Sequence, residues 1–210
     1  MDTEDLITNL ACRLEPVRRL RPPAVRALEW LAVVAALSAL LILRYADLQV
    51  FRHRMGSPRV LLECIATLVT ATTAIFASFE LSVPGRSPRW AALPVVPFLV
   101  WLAASGLGCL QNGLGGSARE SVHCFVFIAG VSVPLAGSLL AMLRRARPIA
   151  TLPVAALGAL GAAAAAAFIL EFFHPFDVTV IDLALHLAAV GGVIAVLTVL
   201  RRPLLASASD

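Results

Sequence analysis

Thiols, imidazoles and carboxylates are the groups of this chain that could ligate a soft metal ion or undergo oxidation, and they are unevenly placed. Cys109 and the doublet His123-Cys124 flank a short Gly-rich stretch, residues 111–121. Glu171, His174 and Asp177 crowd one short segment, and Asp182 and His186 follow at i, i+4, a spacing that shares one helix face. Glu63-Cys64 is a further pair. Thiolates and imidazoles suit soft or borderline ions, so Cys109, His123, Cys124, His174 and His186 form one candidate ligand set. Their spacing matches no established zinc pattern. On a helix, moreover, His123 and Cys124 would diverge by about 100°. A second chemistry is a disulfide between Cys109 and Cys124. An oxidising compartment permits it if the two Cα atoms lie within about 7 Å. Both cysteines also fit as small buried apolar residues. Cys12 stands apart and reads as an ordinary thiol.

Apolar helices must position these groups. The chain is 60% hydrophobic and 14% charged, whereas a soluble domain carries about a quarter charged residues. A bilayer-spanning helix needs ~20 mostly apolar residues. Six runs qualify: Val25–Leu43, Val60–Phe79, Trp90–Leu110, Val122–Leu143, Ile149–Leu170 and Val178–Leu200. The expected fold is therefore all-α: a polytopic six-transmembrane-helix bundle with a short cytoplasmic N-terminal amphipathic helix. Residues 1–23 make the helix and its connector, 24–202 the membrane domain and 203–210 a cytoplasmic tail. The first run exceeds the ~7–15 apolar residues of a signal peptide, so it reads as a retained span. Pro94 and Pro97 fall in the third span and Pro134 in the fourth, where membrane helices tolerate kinks. Ala162–Ala167 offers small residues for close helix contact.

All 17 basic residues are arginine. With the N-terminus inside, twelve arginines fall on the cytoplasmic side and five opposite. The positive-inside rule then places both termini in the cytoplasm. Four of the five opposing arginines, Arg44, Arg52, Arg54 and Arg59, flank the first outer loop and weigh against that orientation. The sequence pI near 9.4 does not point to nucleic acid, because the arginines mark helix ends instead of forming a stripe.

At the N-terminus, Leu6, Ile7, Leu10 and Leu14 recur at helical spacing, with Thr3 as N-cap and acidic residues in the first turn. A proline-rich basic connector follows, carrying Arg18, Arg19 and Arg21. The apolar stripe suits either a membrane surface or a groove on a partner protein. Its acidic first turn favours the partner.

Several of these motifs resemble the NrsF family. They are Thr3-Glu4-Asp5-Leu6-Ile7, Leu10-Ala11, the connector from Pro16 to Pro23, Val83-Pro84-Gly85-Arg86-Ser87 and Gly106-Leu107-Gly108-Cys109-Leu110. The cysteine at the start of span four and the arginine doublet after that span fit as well. The resemblance covers essentially the whole chain. It implies a six-span anti-sigma factor of the bacterial inner membrane, which holds an extracytoplasmic-function (ECF) sigma factor and releases it under heavy-metal or oxidative stress. By match, Cys124 is one periplasmic sensing cysteine. The family's second belongs to a His-Cys-Pro-like motif between spans five and six. Here that loop reads Phe173-His174-Pro175-Phe176. The resemblance thus leaves three possibilities: Cys109 as the partner of Cys124, metal ligation involving His123 or His174, or an altered thiol response.

The expected activity is signalling without catalysis or cofactor, with an ECF sigma factor and the lipid bilayer as partners and no direct contact with nucleic acid. Leu6, Ile7, Leu10 and Leu14 would bind the sigma factor, oriented at the membrane by Arg18, Arg19 and Arg21. A membrane thiol–disulfide oxidoreductase would usually carry a close pair such as Cys-x-x-Cys, which this chain lacks. A small metal or solute transporter would place ionisable residues near the bilayer midplane beside broken helices, whereas these charges lie near the span ends.

Overall fold

Only helices and closed barrels pair every backbone group within an apolar layer, and the long Ala-, Leu- and Val-rich runs here take the helical solution. A computed structural model of the protein describes residues 2–12, 19–113, 118–173, 178–201 and 205; the side chains of 118–120 lie outside this description. In chain order the described residues form α1 (Thr3–Cys12), α2 (Pro23–Tyr45), α3 (Leu48–Arg54), α4 (Pro58–Leu81), a 3₁₀ turn (Pro88–Ala92), α5 (Val95–Asn112), α6 (Ala118–Arg144), α7 (Thr151–Leu170) and α8 (Val180–Val199). No strand occurs among them. Six segments are long and apolar enough to cross a membrane: α2, α4, the 3₁₀ turn with α5, α6, α7 and α8. The chain is thus an all-α, multi-pass membrane protein, as its apolar runs indicate.

α7 forms the centre of the bundle. It is apolar around its whole circumference, the pattern of a helix enclosed by protein, and most of its residues from Val154 to Leu170 are buried. It packs on α4, α6 and α8, with α4 as its main partner. Two glycines set the closeness of these contacts. A Cβ at Gly161 would stand 2.7 Å from two side-chain carbons of Ile75 and 3.2 Å from its backbone nitrogen. One at Gly158 would stand 2.8 Å from Leu139 and 3.2 Å from the Ser78 hydroxyl. Small residues at such positions let helix backbones approach closely, which is how membrane helices gain packing energy without a hydrophobic drive. Ile75, Phe79, Leu139, Leu143 and Val154 fill the core around this contact, with Trp30 of α2 on its flank.

Several hydroxyls inside the bundle are satisfied locally. Thr67, Thr70 and Ser132 donate to the carbonyl four residues earlier at 2.6–2.7 Å, a bond that spares a hydroxyl from facing lipid unpaired. Others tie helices together. Ser78 donates to the Val154 carbonyl across α4 and α7 at 2.9 Å. The Trp30 indole N–H reaches the Ser138 hydroxyl at 3.1 Å and the Leu135 carbonyl at 3.3 Å, linking α2 to α6.

The prolines divide by position. Pro134 lies inside α6, which continues through it. Pro94 and Pro97 do not kink the third span. Pro94 is the N-cap residue of α5 and Pro97 falls in its first turn. First-turn amides have no intrahelical partner to lose, so proline is accommodated there. The span is instead divided between the 3₁₀ turn and α5.

Candidate functional site

Six crossings return the chain to the end at which it started, so the bundle has an N-terminal end and an opposite end. The N-terminal end carries α1. This helix starts at Thr3, whose amide donates to the Asp2 carboxylate at 2.7 Å, and Leu6 N–H donates to the Asp2 carbonyl at 3.1 Å. Asp2 therefore occupies the N-cap position expected for Thr3. None of the α1 residues is buried, and Leu6, Ile7 and Leu10 are 42%, 55% and 58% exposed. An apolar stripe is thus presented without cover from the described bundle. Leu14 and Arg18 lie outside the described residues. Arg19 and Arg21 are exposed, and Arg21 pairs with Glu29 in the second turn of α2.

The opposite end carries Asp47, Arg54, Arg59, Glu63, Glu171 and Asp182 with three of the four cysteines, on elements the apolar pattern only partly reveals. α3 is a seven-residue helix between α2 and α4, with too little apolar periodicity to stand out in sequence. Its signal is the cap: the Asp47 carboxylate accepts from the amides of Gln49 and Val50 at 3.0 and 3.2 Å. α3 docks on the end of α7 through Phe51, which stacks on Phe172 with ring centroids 4.2 Å apart. Beside this stack, Arg54 donates to the Glu171 carbonyl at 3.1 Å and approaches its carboxylate at 3.4 Å. Burial raises the Glu171 carboxyl to about 7, against the opposing pull of Arg54.

A second ion pair lies at the start of α4. Arg59 contacts Glu63 at 3.1 Å, and Glu63 is only 1% exposed. Gly108 makes room for the arginine, since a Cβ there would stand 2.3 Å from an Arg59 guanidinium nitrogen. Two of the four arginines that weigh against the expected orientation are thus engaged with buried or half-buried carboxylates.

The thiols lie near this polar layer in separate surroundings. Cys109 Sγ donates to the Thr179 carbonyl at 3.2 Å. Asn112 donates to the Val178 carbonyl, and Val180 N–H to the Gly113 carbonyl, each at 3.2 Å. The end of α5 is therefore stitched to the segment entering α8. Gly113, with φ 61° and ψ −142°, ends α5 in a backbone conformation that residues with a side chain rarely adopt. Cys124 is buried instead among Ile128, Ala166, Ala167, Leu170 and Ala189. α5 packs mainly on α4 and α8, and α6 on α7 and α8. Spans three and four are consecutive but are not principal neighbours, so the structure does not bring Cys109 and Cys124 into a pair, and neither forms a disulfide.

The imidazoles are equally dispersed. His123 is exposed while Cys124 beside it is buried, the two pointing about 100° apart around α6. His186 Nδ1 lies 2.7 Å from the Asp182 backbone carbonyl. The Asp182 carboxylate instead completes a capping box with Thr179. His174 and Asp177 lie outside the described residues. Among the described residues, no group of three or more His, Cys, Asp or Glu side chains could hold a metal ion. The expected ligand set, so far as it is described, does not converge.

None of the curated proteins and none of the solved structures matches the chain. The family described as "NrsF: Negative regulator of sigma F" matches residues 10–206. That match covers nearly the whole chain, from the end of α1 through all six membrane-crossing segments. The motifs from Leu10 onward lie within it and the six-span architecture agrees with it, and the chain belongs to the NrsF family of negative regulators of a sigma factor.

Proposed function

We propose that this protein holds an ECF sigma factor at the bacterial inner membrane through α1, with both termini in the cytoplasm, and that it works without catalysis. The carrying observation is the exposed stripe of Leu6, Ile7 and Leu10 on a helix with no buried residue. Amphipathic helices with such anchors bind by laying the apolar face into a groove on a partner. Leu14 joins these residues in contacting the sigma factor, and Arg18, Arg19 and Arg21 orient the complex at the membrane.

Release follows heavy-metal or oxidative stress, entering at the opposite end through Cys124 and Cys109, with His123 and His174 as further sensing residues. The separate surroundings of the two thiols favour their modification one at a time over a bridge between them. Cys109 is the better placed to transmit a change. Its S–H donor helps fasten α5 to the entry of α8, and modifying the sulfur removes that bond. The bundle then needs two packings of different sigma-factor affinity, and a tenfold difference requires only about 1.4 kcal/mol.

The test is co-purification of the sigma factor with the full chain and with a chain lacking residues 1–23. Loss of the sigma factor from the shortened chain is expected; equal recovery from both would overturn the tethering reading.

A further inference from the structure

The N-terminal end contains a polar feature that sigma-factor binding by α1 does not use. Arg26 lies in the first turn of α2 and is only 5% exposed. Its Nη2 donates to the Ser82 hydroxyl at 3.1 Å, and its guanidinium carbon stands 5.2 Å from the centroid of the Phe79 ring. Nε and Nη1 find no hydrogen-bond partner among the described residues. Leaving donors of a buried cation unmet is costly, so these atoms point to a ligand that accepts from them.

A suitable space adjoins them. Arg26 lines a cleft of about 580 Å³ together with Arg19, Arg21, Glu29, Met142 and Arg145. Glu29 on this wall is engaged by Arg21, and Glu80, the other carboxylate that attracts Arg26, is engaged by Arg86, which leaves the cleft with a net positive charge. Its depth in the bundle is equally informative. Arg26 belongs to the first turn of α2, and Arg145 directly follows the last residue of α6. The cleft therefore lies where two spans leave the apolar layer, the level of phospholipid phosphates, and Met142 supplies an apolar wall beside it. Guanidinium groups suit phosphate because their planar N–H forks match its oxygens.

We propose that this cleft binds the phosphate of an anionic phospholipid headgroup, with Arg26 as the buried anchor and Arg145 as an outer cation. An acidic segment of a protein partner offers similar charge. It would have to reach a guanidinium buried within the first turn of a membrane span, where a lipid phosphate already resides.

The full-length chain in phosphatidylcholine nanodiscs, titrated with phosphatidylglycerol and separately with inorganic phosphate, tests the assignment. Bound lipid is counted by native mass spectrometry, and the thermal midpoint is followed in parallel. Wild-type protein should retain phosphatidylglycerol. Arg26→Gln should weaken that binding about tenfold or more, and exposed Arg145→Gln about fivefold. Because Arg145 is on the surface, its variant reads binding without threatening the fold. Undiminished phosphatidylglycerol binding in Arg145→Gln would overturn the proposal. Loss of sigma-factor binding in that variant, with lipid binding intact, would also overturn it and give the cleft to the protein partner. Saturation by inorganic phosphate, with no further gain from phosphatidylglycerol, would keep a phosphate site and remove the lipid as its occupant.

Discussion

Arg54 and Glu171 are separated by 117 positions in the chain, yet the arginine donates to the Glu171 carbonyl at 3.1 Å and lies 3.4 Å from its carboxylate. This double contact clamps the α3 loop to the end of the central helix, next to the Phe51–Phe172 stack. Because burial outweighs the pull of Arg54 on the Glu171 carboxyl, the clamp is sensitive to proton concentration.

The sign of that sensitivity follows from linkage. Glu171 has a folded pKa of about 7, above the ordinary value of 4.5, so the folded state holds the extra proton between those limits. Its contribution is fully present below pH 4.5 and is lost as pH rises through 7, amounting to no more than ~3 kcal/mol. Thermal unfolding in detergent should show falling stability across this window, and Glu171→Gln should flatten the slope. Arg54→Met should destabilise the protein more at pH 8 than at pH 5, because only the ionised carboxylate then loses a partner.

Packing at the α4–α7 contact predicts a cost for the smallest enlargement. Gly161→Ala places a methyl group 2.7 Å from the Ile75 side chain and 3.2 Å from its backbone. The expected loss is about 1–3 kcal/mol. Ile75→Val, which removes one of the clashing carbons, should recover part of it in a double variant. Additive losses in that pair would show that the clash is not where the penalty arises.

Thiol accessibility should rank the cysteines. Cys12 is exposed, whereas Cys64, Cys109 and Cys124 are buried. A maleimide added to the folded protein should label Cys12 within the shortest exposure and the other three only after denaturation. Mass spectrometry of labelled peptides gives the order, and early labelling of Cys124 would contradict its enclosure by Ile128 and Leu170.

On the exposed α1 stripe, Leu6→Asp with Leu10→Asp should leave the stability of the bundle within about 0.5 kcal/mol of wild type. The same double variant should weaken sigma-factor binding tenfold or more, about 1.4 kcal/mol, as measured by titration with the purified sigma factor. Undiminished binding would move the contact away from this face.

The six spans were readable because each is a long apolar run, and a lipid environment leaves such a run few alternatives to helix. The stripe of Leu6, Ile7 and Leu10 was readable from its period. α3 was harder to see because Leu48–Arg54 mixes Gln, His and Arg with few apolar residues, although Asp47 offered a cap. The Cys109–Cys124 juxtaposition failed for a topological reason: a short connection places α5 and α6 in sequence without making them principal neighbours, and α8 packs against both. Arg26 counted as a cytoplasmic topology signal, but no feature of a single sequence marks one arginine among seventeen as buried. Likewise Arg54 and Glu171 stand too far apart in the chain for spacing to join them.

The alanine-rich centre of α7 restricts how any message could pass from one end of the bundle to the other. Ala162–Ala167 contributes six consecutive side chains without a rotatable χ angle, so this stretch has no rotamers to exchange between two states. A relay of repacked side chains along α7 is therefore closed. What remains is mechanical: the surrounding helices can tilt or shift as rigid rods about this unyielding axis.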